Sequence, residues 1–291
     1  MRTHNELKQL LIQIKNSDYT IPSEANLDDL IADMLKHIGH TDPMLRDELI
    51  YSTVNTWIDK SIISTIQMKH ILTTCLDKDH LFYGIGESDT DSVFTRAFSS
   101  LQIAAALWMH DESPFLTSED ILNVKDTVLS YVSQERDYRG YVTGKGWAHA
   151  VAHIADTLAN IAVADKVVGG EFSHNRETLL ELLNAAKTLI CNKDCVYTAE
   201  EDERLTHVIF GVCSNEVLST KEIIDWLKSF NMASFDWKTS TVPDDYYAHV
   251  NHKHFMRSLY FGLMSCKEDE FDEISPKEIC EYMLEFLVDA E

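Results

Sequence analysis

The densest run of chemically capable side chains lies between Glu135 and Asp156, where a charged, glycine-rich segment leads into an alanine-rich one. His149, His153, Asp156 and Asn160 recur at three- and four-residue steps, which on a helix draws one narrow polar stripe. Apart from Thr157, the positions around them are Ala148, Ala150, Val151, Ala152, Ile154, Ala155, Leu158, Ala159 and Ile161. So apolar a setting predicts that the stripe faces a cavity or a helix interface. Buried imidazoles and carboxylates need partners. A divalent metal such as zinc would supply one, with His149 and His153 as nitrogen ligands and Asp156 completing the shell or serving as catalytic general base. Open positions on such a metal acidify bound water, which is hydrolase chemistry. A structural hydrogen-bond network that sets helix register satisfies the same groups without a metal. The zinc-protease pattern requires Glu directly after the first His, and Ala150 stands there.

The preceding loop adds Gly140, Gly144 and Gly146, which permit close backbone approach to a ligand, and the anion donors Arg139 and Lys145. Trp147, between loop and stripe, is placed to line a pocket. The glycine spacing matches neither a phosphate loop nor a dinucleotide fingerprint. Arg96, among Val93, Phe94, Phe98 and Leu101, needs an acceptor, for which Asp156, Asp137 or a substrate anion would serve, unless its stem reaches the surface. The acidic run from Glu200 to Glu203 suits a helix start. There Glu203 and His207 are outlying ligand candidates, although Glu203 with His207 and Glu200 with Arg204 also have intrahelical pair spacing. Tyr246 to Tyr260 holds the chain's only basic concentration, in which Arg257 with Tyr260 forms a candidate ligand-binding face. The expected ligand-binding set is therefore Arg96, Asp137, Arg139, Lys145, Trp147 and Arg257. Trp108, Trp226 and Trp237 have aliphatic neighbours at helical spacing, which predicts core packing. No serine nucleophile elbow and no cysteine beside a base is visible. Cys191 and Cys195 are too far apart for the usual zinc pair, and all six cysteines are expected to be reduced.

Helices must position these groups. Leu7, Leu10, Leu11 and Ile14, then Leu27, Leu30, Ile31, Met34, Leu35 and Ile38, recur at helical steps, and the pattern continues along the chain. Ser275, Pro276 and Glu278 form a helix-start signature, repeated by Ser219 with Glu222 and Thr117 with Asp120. The five prolines fall between the periodic segments. Tyr138 to Thr143 has the best alternation but reads as a loop, and Asp77 to Asp91 as a long mobile connection. An all-α fold of about a dozen helices follows, given typical helix lengths of ~10 to 14 residues. The helices form antiparallel pairs, either stacked as a HEAT-like α-solenoid or closed as a compact multi-helix bundle. No self-similarity appears at repeat periods of ~34 to 47 residues. Residues 1–291 read as one helical domain, divisible into an N-terminal part, 1–77, and a main part, 90–291, that carries the site.

The formal net charge is -23, from 48 Asp and Glu against 25 Lys and Arg, which disfavours nucleic acid and anionic membranes as partners. No leader-like start and no membrane-spanning apolar run is present, so a cytoplasmic location is expected. Two functions fit. One is a metal-assisted hydrolase acting on an anionic small molecule held by the arginines. The other is a non-catalytic HEAT-like scaffold whose acidic surface binds a basic protein partner.

Three segments, Asp91-Ser-Val-Phe-Thr-Arg-Ala-Phe98, Glu135 to Gly140 and Gly146-Trp-Ala-His-Ala-Val-Ala-His-Ile-Ala-Asp156, resemble the bacterial DUF2785 family of uncharacterised proteins. The resemblance implies an all-helical cytoplasmic protein and brings no activity with it.

Overall fold

Local capping chemistry sets most element boundaries. Thr3, Ser64, Thr117 and Ser219 each accept a hydrogen bond from the third helical residue, whose side chain reaches back in return. Ser275 Oγ likewise accepts from Glu278 N at 3.3 Å ahead of Pro276. The computed structural model describes residues 1–164, 176–230, 236, 238–267 and 271–289. Among them are α1 (His4–Asn16), α2 (Leu27–Lys36), a π-helical segment (Met44–Tyr51) that runs into α3 (Ser52–Asp59), and α4 (Thr65–Cys75). Then follow α5 (Ser92–Glu112), α6 (Ser118–Gln134), the strands β1 (Tyr141–Val142) and β2 (Gly146–Trp147), α7 (Ala150–Ala164) and α8 (Arg176–Ile190). The chain continues through α9 (Glu201–Cys213), α10 (Thr220–Lys228), α11 (Asp244–Ser265) and α12 (Pro276–Asp289). The fold is all-α, and among the described residues no helix is long and apolar enough to cross a membrane.

Helices α5, α7, α9 and α11 lie side by side in one row. Their contacts advance together along the sequence: Ala97 meets His153 and Ser100 meets Thr157, Asp156 meets Arg204 and Ala162 meets Asn215, and Asp202 meets Ser258. Neighbours in the row are therefore parallel. Helices α4, α6, α8 and α12 pack against α5, α7, α9 and α11 respectively, and outside the row α6 touches α8 and α10 touches α12. Each helix of the row thus has a companion packed against it. The sequence step between matched positions is 56, 57, 48, 53 and 56 residues for those five contacts.

Helix α5 is enclosed on nearly every side from Ser92 to Leu107, as its all-round apolar composition demands. Ser99 and Ser100 satisfy their hydroxyls on the carbonyls of Thr95 and Ala97, so they cost little in the interior. Between α7 and α9 a glycine allows close approach: a Cβ on Gly211 would stand 3.0 Å from the Ala159 carbonyl oxygen. One continuous apolar cluster extends from Leu7 in α1 to Met283 in α12.

Two sequence expectations need correction here. Asp77 to Asp91 is a series of ordered turns, because the Arg96 guanidinium binds the carbonyls of Tyr83, Gly84 and Glu87 and Leu81 is fully buried beneath. Within Tyr138 to Thr143, Tyr141 and Val142 do form a strand, paired antiparallel with Trp147 and Gly146. The left-handed backbone of Gly144 (φ 79°) makes that tight reversal possible.

Candidate functional site

The glycine-rich segment is pinned to the helices by a lattice of buried charge. Arg96, with no exposed surface, holds Glu135 through two bonds, Nε to Oε2 at 2.6 Å and Nη2 to Oε1 at 2.8 Å. Its Nη1 donates to Tyr83 O, Gly84 O and Ser92 Oγ, while Tyr131 donates its phenol to Glu135 Oε2 at 2.6 Å. Burial opposes the charge on Arg96, but the bonds to Glu135 outweigh it and raise the guanidinium pKa. Asp137, also buried, takes Arg139 through Nε at 2.8 Å and Nη2 at 2.6 Å, and Arg139 reaches back to Thr90 O. Lys145 pairs with Asp91 at 2.5 Å. Arg46, in the π-helical segment, donates to the carbonyls of Lys145 and Trp147 and lies over the Phe94 and Phe98 rings at 4.3 and 4.7 Å. Arg96, Asp137, Arg139 and Lys145 are thus brought into one region, where they grip one another and the backbone.

The histidine stripe is broken at its first member. His149 precedes α7 rather than belonging to it, and its backbone is left-handed (φ 53°), a conformation that a non-glycine residue holds only when its surroundings enforce it. Its ring stacks on Trp147 at 4.3 Å and donates from Nε2 to the Ala199 carbonyl at 3.0 Å. His153 turns the other way, donating from Nδ1 to the Ala97 carbonyl on α5 at 3.3 Å, with its ring edge-on to Phe98. The two rings are 5.7 Å apart and steeply inclined at 82°. Burial lowers the pKa of both, that of His153 to about 3, so His153 is neutral at pH 7.

Asp156 faces α9 instead. Both of its oxygens accept from Arg204 Nη1, at 2.9 and 2.7 Å, and His207 Nδ1 lies 3.9 Å away. Burial favours the neutral acid, yet His207 and Arg204 outweigh it and hold the carboxyl below the usual carboxylate range. Arg204 and His207 therefore answer to the next helix in the row rather than to Glu200 and Glu203 on their own. Among the described residues no three His, Cys, Asp or Glu side chains converge as a metal site. The expected set of His149, His153 and Asp156 fails to do so because each member is turned towards a different neighbour.

Arg257 is exposed on α11, far along the row from this region. All six cysteines are free. Trp226 is buried in the core as expected, Trp147 is 42% exposed on the hairpin, and Trp237 lies outside the described residues. Trp108 departs from expectation: near the end of α5 its side chain remains 45% exposed.

That indole opens onto a groove of about 310 Å³ between α3, α5 and α7. Tyr51, Asn55 and Asp59 form one wall, Asp156 and Asn160 the other, with Leu101, Ala104 and Ala105 between them. The size is at the lower end for a ligand site, and the mixture of apolar floor and converging polar groups is typical of one. Asp59 is exposed and has no ion pair among the described residues, whereas Asp156 already carries Arg204. Only Asp156 of this wall belongs to the expected site set. Tyr51, Asn55 and Asp59 recur at four-residue steps through the π-helical segment and α3, a helical spacing that marks one face, and Trp108 comes from α5.

A family model described as "Protein of unknown function (DUF2785)" matches residues 81–261. This span covers the charge lattice, the hairpin, α7 and most of the parallel row. No curated protein and no solved structure matches the chain.

Proposed function

The chain belongs to the DUF2785 family, and from that premise we propose that it is a non-catalytic, HEAT-like helical scaffold whose α3–α5–α7 groove receives a cationic side chain from a basic partner protein. The carrying observation is Trp108: an indole left 45% exposed at the end of an otherwise enclosed helix, in a groove whose wall carries Asp59, exposed and without an ion pair among the described residues. An aromatic face beside carboxylates is the chemistry that takes up a guanidinium or ammonium group. Arg204 Nη1 donates to both oxygens of Asp156, so one carboxylate of this wall already takes a guanidinium within the chain. Asn55, Asn160 and Tyr51 add hydrogen-bonding groups suited to a partner's backbone. The net charge of -23 draws basic partners and repels anions, which disfavours the anionic small molecule of the hydrolase reading. That reading also needs metal ligands that converge, and its three candidates are committed elsewhere.

The test is a titration with an extended peptide of alternating arginine and proline, followed by fluorescence anisotropy. Trp108→Ala should weaken binding by a factor between about 2 and 30, the range of a cation–π contact worth ~0.5 to 2 kcal/mol. Asp59→Lys should reduce it further, and binding should weaken as salt rises. The proposal fails if both variants bind as the parent does, or if a glutamate–proline peptide binds equally well.

A further inference from the structure

Among the described residues, α11 is the last helix of the parallel row. Helices α7 and α9 are each flanked by row neighbours on two sides, whereas among the described residues α11 meets the row only through α9. On α11 and its companion α12, Phe261 (71% exposed), Met264 (61%), Leu284 and Val288 face solvent. Phe261 and Met264 are three residues apart and Leu284 and Val288 four, so each pair occupies one helix face. Where the end of α11, the start of α12 and the segment joining them meet lies a groove of about 770 Å³, with Leu263, Met264, Phe271, Ile274 and Leu284 as its apolar lining and Phe261 and Val288 outside it. An apolar groove of this kind is a surface that an amphipathic helix can cover. It lies almost wholly beyond the residues that the family model matches.

Charge selects among occupants. The rim carries Asp272, Glu273, Glu278 and Glu281 against Lys267 and Lys277, and Lys277 is spanned by Glu281 on the same helix. A second copy would bring an equal charge of -23 and the same acidic rim, so long-range repulsion works against self-association. A helix with an apolar stripe and basic flanks meets both the floor and the rim. Methionine on the floor suits this role, because its flexible thioether accommodates varied apolar partners. We propose that the groove between the end of α11 and the start of α12 is a docking site for a basic amphipathic helix of a partner protein.

The experiment uses the full chain and two labelled four-turn peptides with the same leucine stripe, one with lysines on its polar face and the other with glutamates. Binding is read by anisotropy and helix formation by far-ultraviolet circular dichroism. The lysine peptide should bind at least about tenfold more tightly than the glutamate peptide and gain helicity. Met264→Asp with Leu284→Asp, both at exposed positions, should weaken it by at least about tenfold. Glu278→Lys with Glu281→Lys should narrow or reverse the preference. Trp108→Ala should leave this binding unchanged, which separates the site from the α5 groove. Equal affinity for the two peptides, no binding of either, or indifference to the α11–α12 substitutions overturns the proposal. So does a dimer of the free protein, seen by sedimentation, that Met264→Asp dissociates, because the occupant is then a second copy.

Discussion

Helix α5 treats its two ends in opposite ways. At one end Arg96, the residue least suited to an apolar interior, is wholly buried with its guanidinium bound to Glu135, Ser92 and the carbonyls of the preceding turns. At the other, Trp108, which is well suited to an interior, remains 45% exposed. A charge inside the apolar body is held there by the acceptors it organises, and those acceptors leave it little capacity for a ligand. An aromatic surface left uncovered retains its capacity for binding. The Arg96 region should therefore respond to mutation through stability and the Trp108 region through recognition.

The largest effect should come from Arg96→Met. It strands the Glu135 carboxylate in the interior and releases the carbonyls of Tyr83 and Gly84, and breaking one side of a buried pair costs about 3–5 kcal/mol. Chemical denaturation measures it. Adding Glu135→Leu should recover much of the loss, since replacing both members of a buried pair by apolar groups is often close to neutral. A single-variant loss below about 1 kcal/mol would mean that the lattice does not hold the segment from Asp77 to Asp91 in place.

Acid should act next, again on the interior. His153 on α7 and His252 on α11 are both driven by burial to a pKa of about 3, from an ordinary 6.5. His252 is stacked on Phe230 at 4.6 Å with neither ring nitrogen hydrogen-bonded. A histidine whose folded pKa is depressed takes up its proton more readily when unfolded, so stability falls as pH drops below 6.5 and continues to fall towards 3. Between pH 7 and pH 5 each ring should cost about 2 kcal/mol by linkage. His252→Phe, which retains the aromatic stack, should remove its share of that slope. An unchanged slope would show that His252 is not a neutral interior group.

The architecture was readable because its signals are local. Thr117 with Asp120, Ser219 with Glu222 and Ser275 with Glu278 mark helix starts within four residues, and each is found at one. The stacking was hidden because its step varies between 48 and 57 residues over the matched contacts, beyond the usual repeat periods and never constant. The histidine stripe misled for a conformational reason. Spacing places His149 and His153 on one face only if the helix includes both, and His149 lies outside it with a left-handed backbone. Glu135 is 39 residues from Arg96, so nothing in the sequence pairs them, although Glu135 stands at the head of the segment that drew attention. The groove is assembled from the π-helical segment, α3, α5 and α7; Tyr51, Asn55 and Asp59, and separately Asp156 and Asn160, share four-residue spacing, but nothing in the sequence joins those two sets to each other or to Trp108.

The smallest expected change in stability is also the most discriminating. If Trp108 were a core residue, truncation to alanine would cost about 3–5 kcal/mol through lost burial and the cavity left behind. As a groove residue with nearly half its surface already in water, it forms the lip of an existing opening, and no enclosed cavity results from its removal. Asp59, exposed and without an ion pair among the described residues, has less to lose. Trp108→Ala should therefore cost well under the core value, roughly 1 kcal/mol, and Asp59→Asn should stay within about 0.5 kcal/mol of the parent. Thermal melting beside Arg96→Met places all three on one scale. Should Trp108→Ala approach the loss caused by Arg96→Met, the indole is holding α3 against α5, and the contrast between the two ends of the helix disappears.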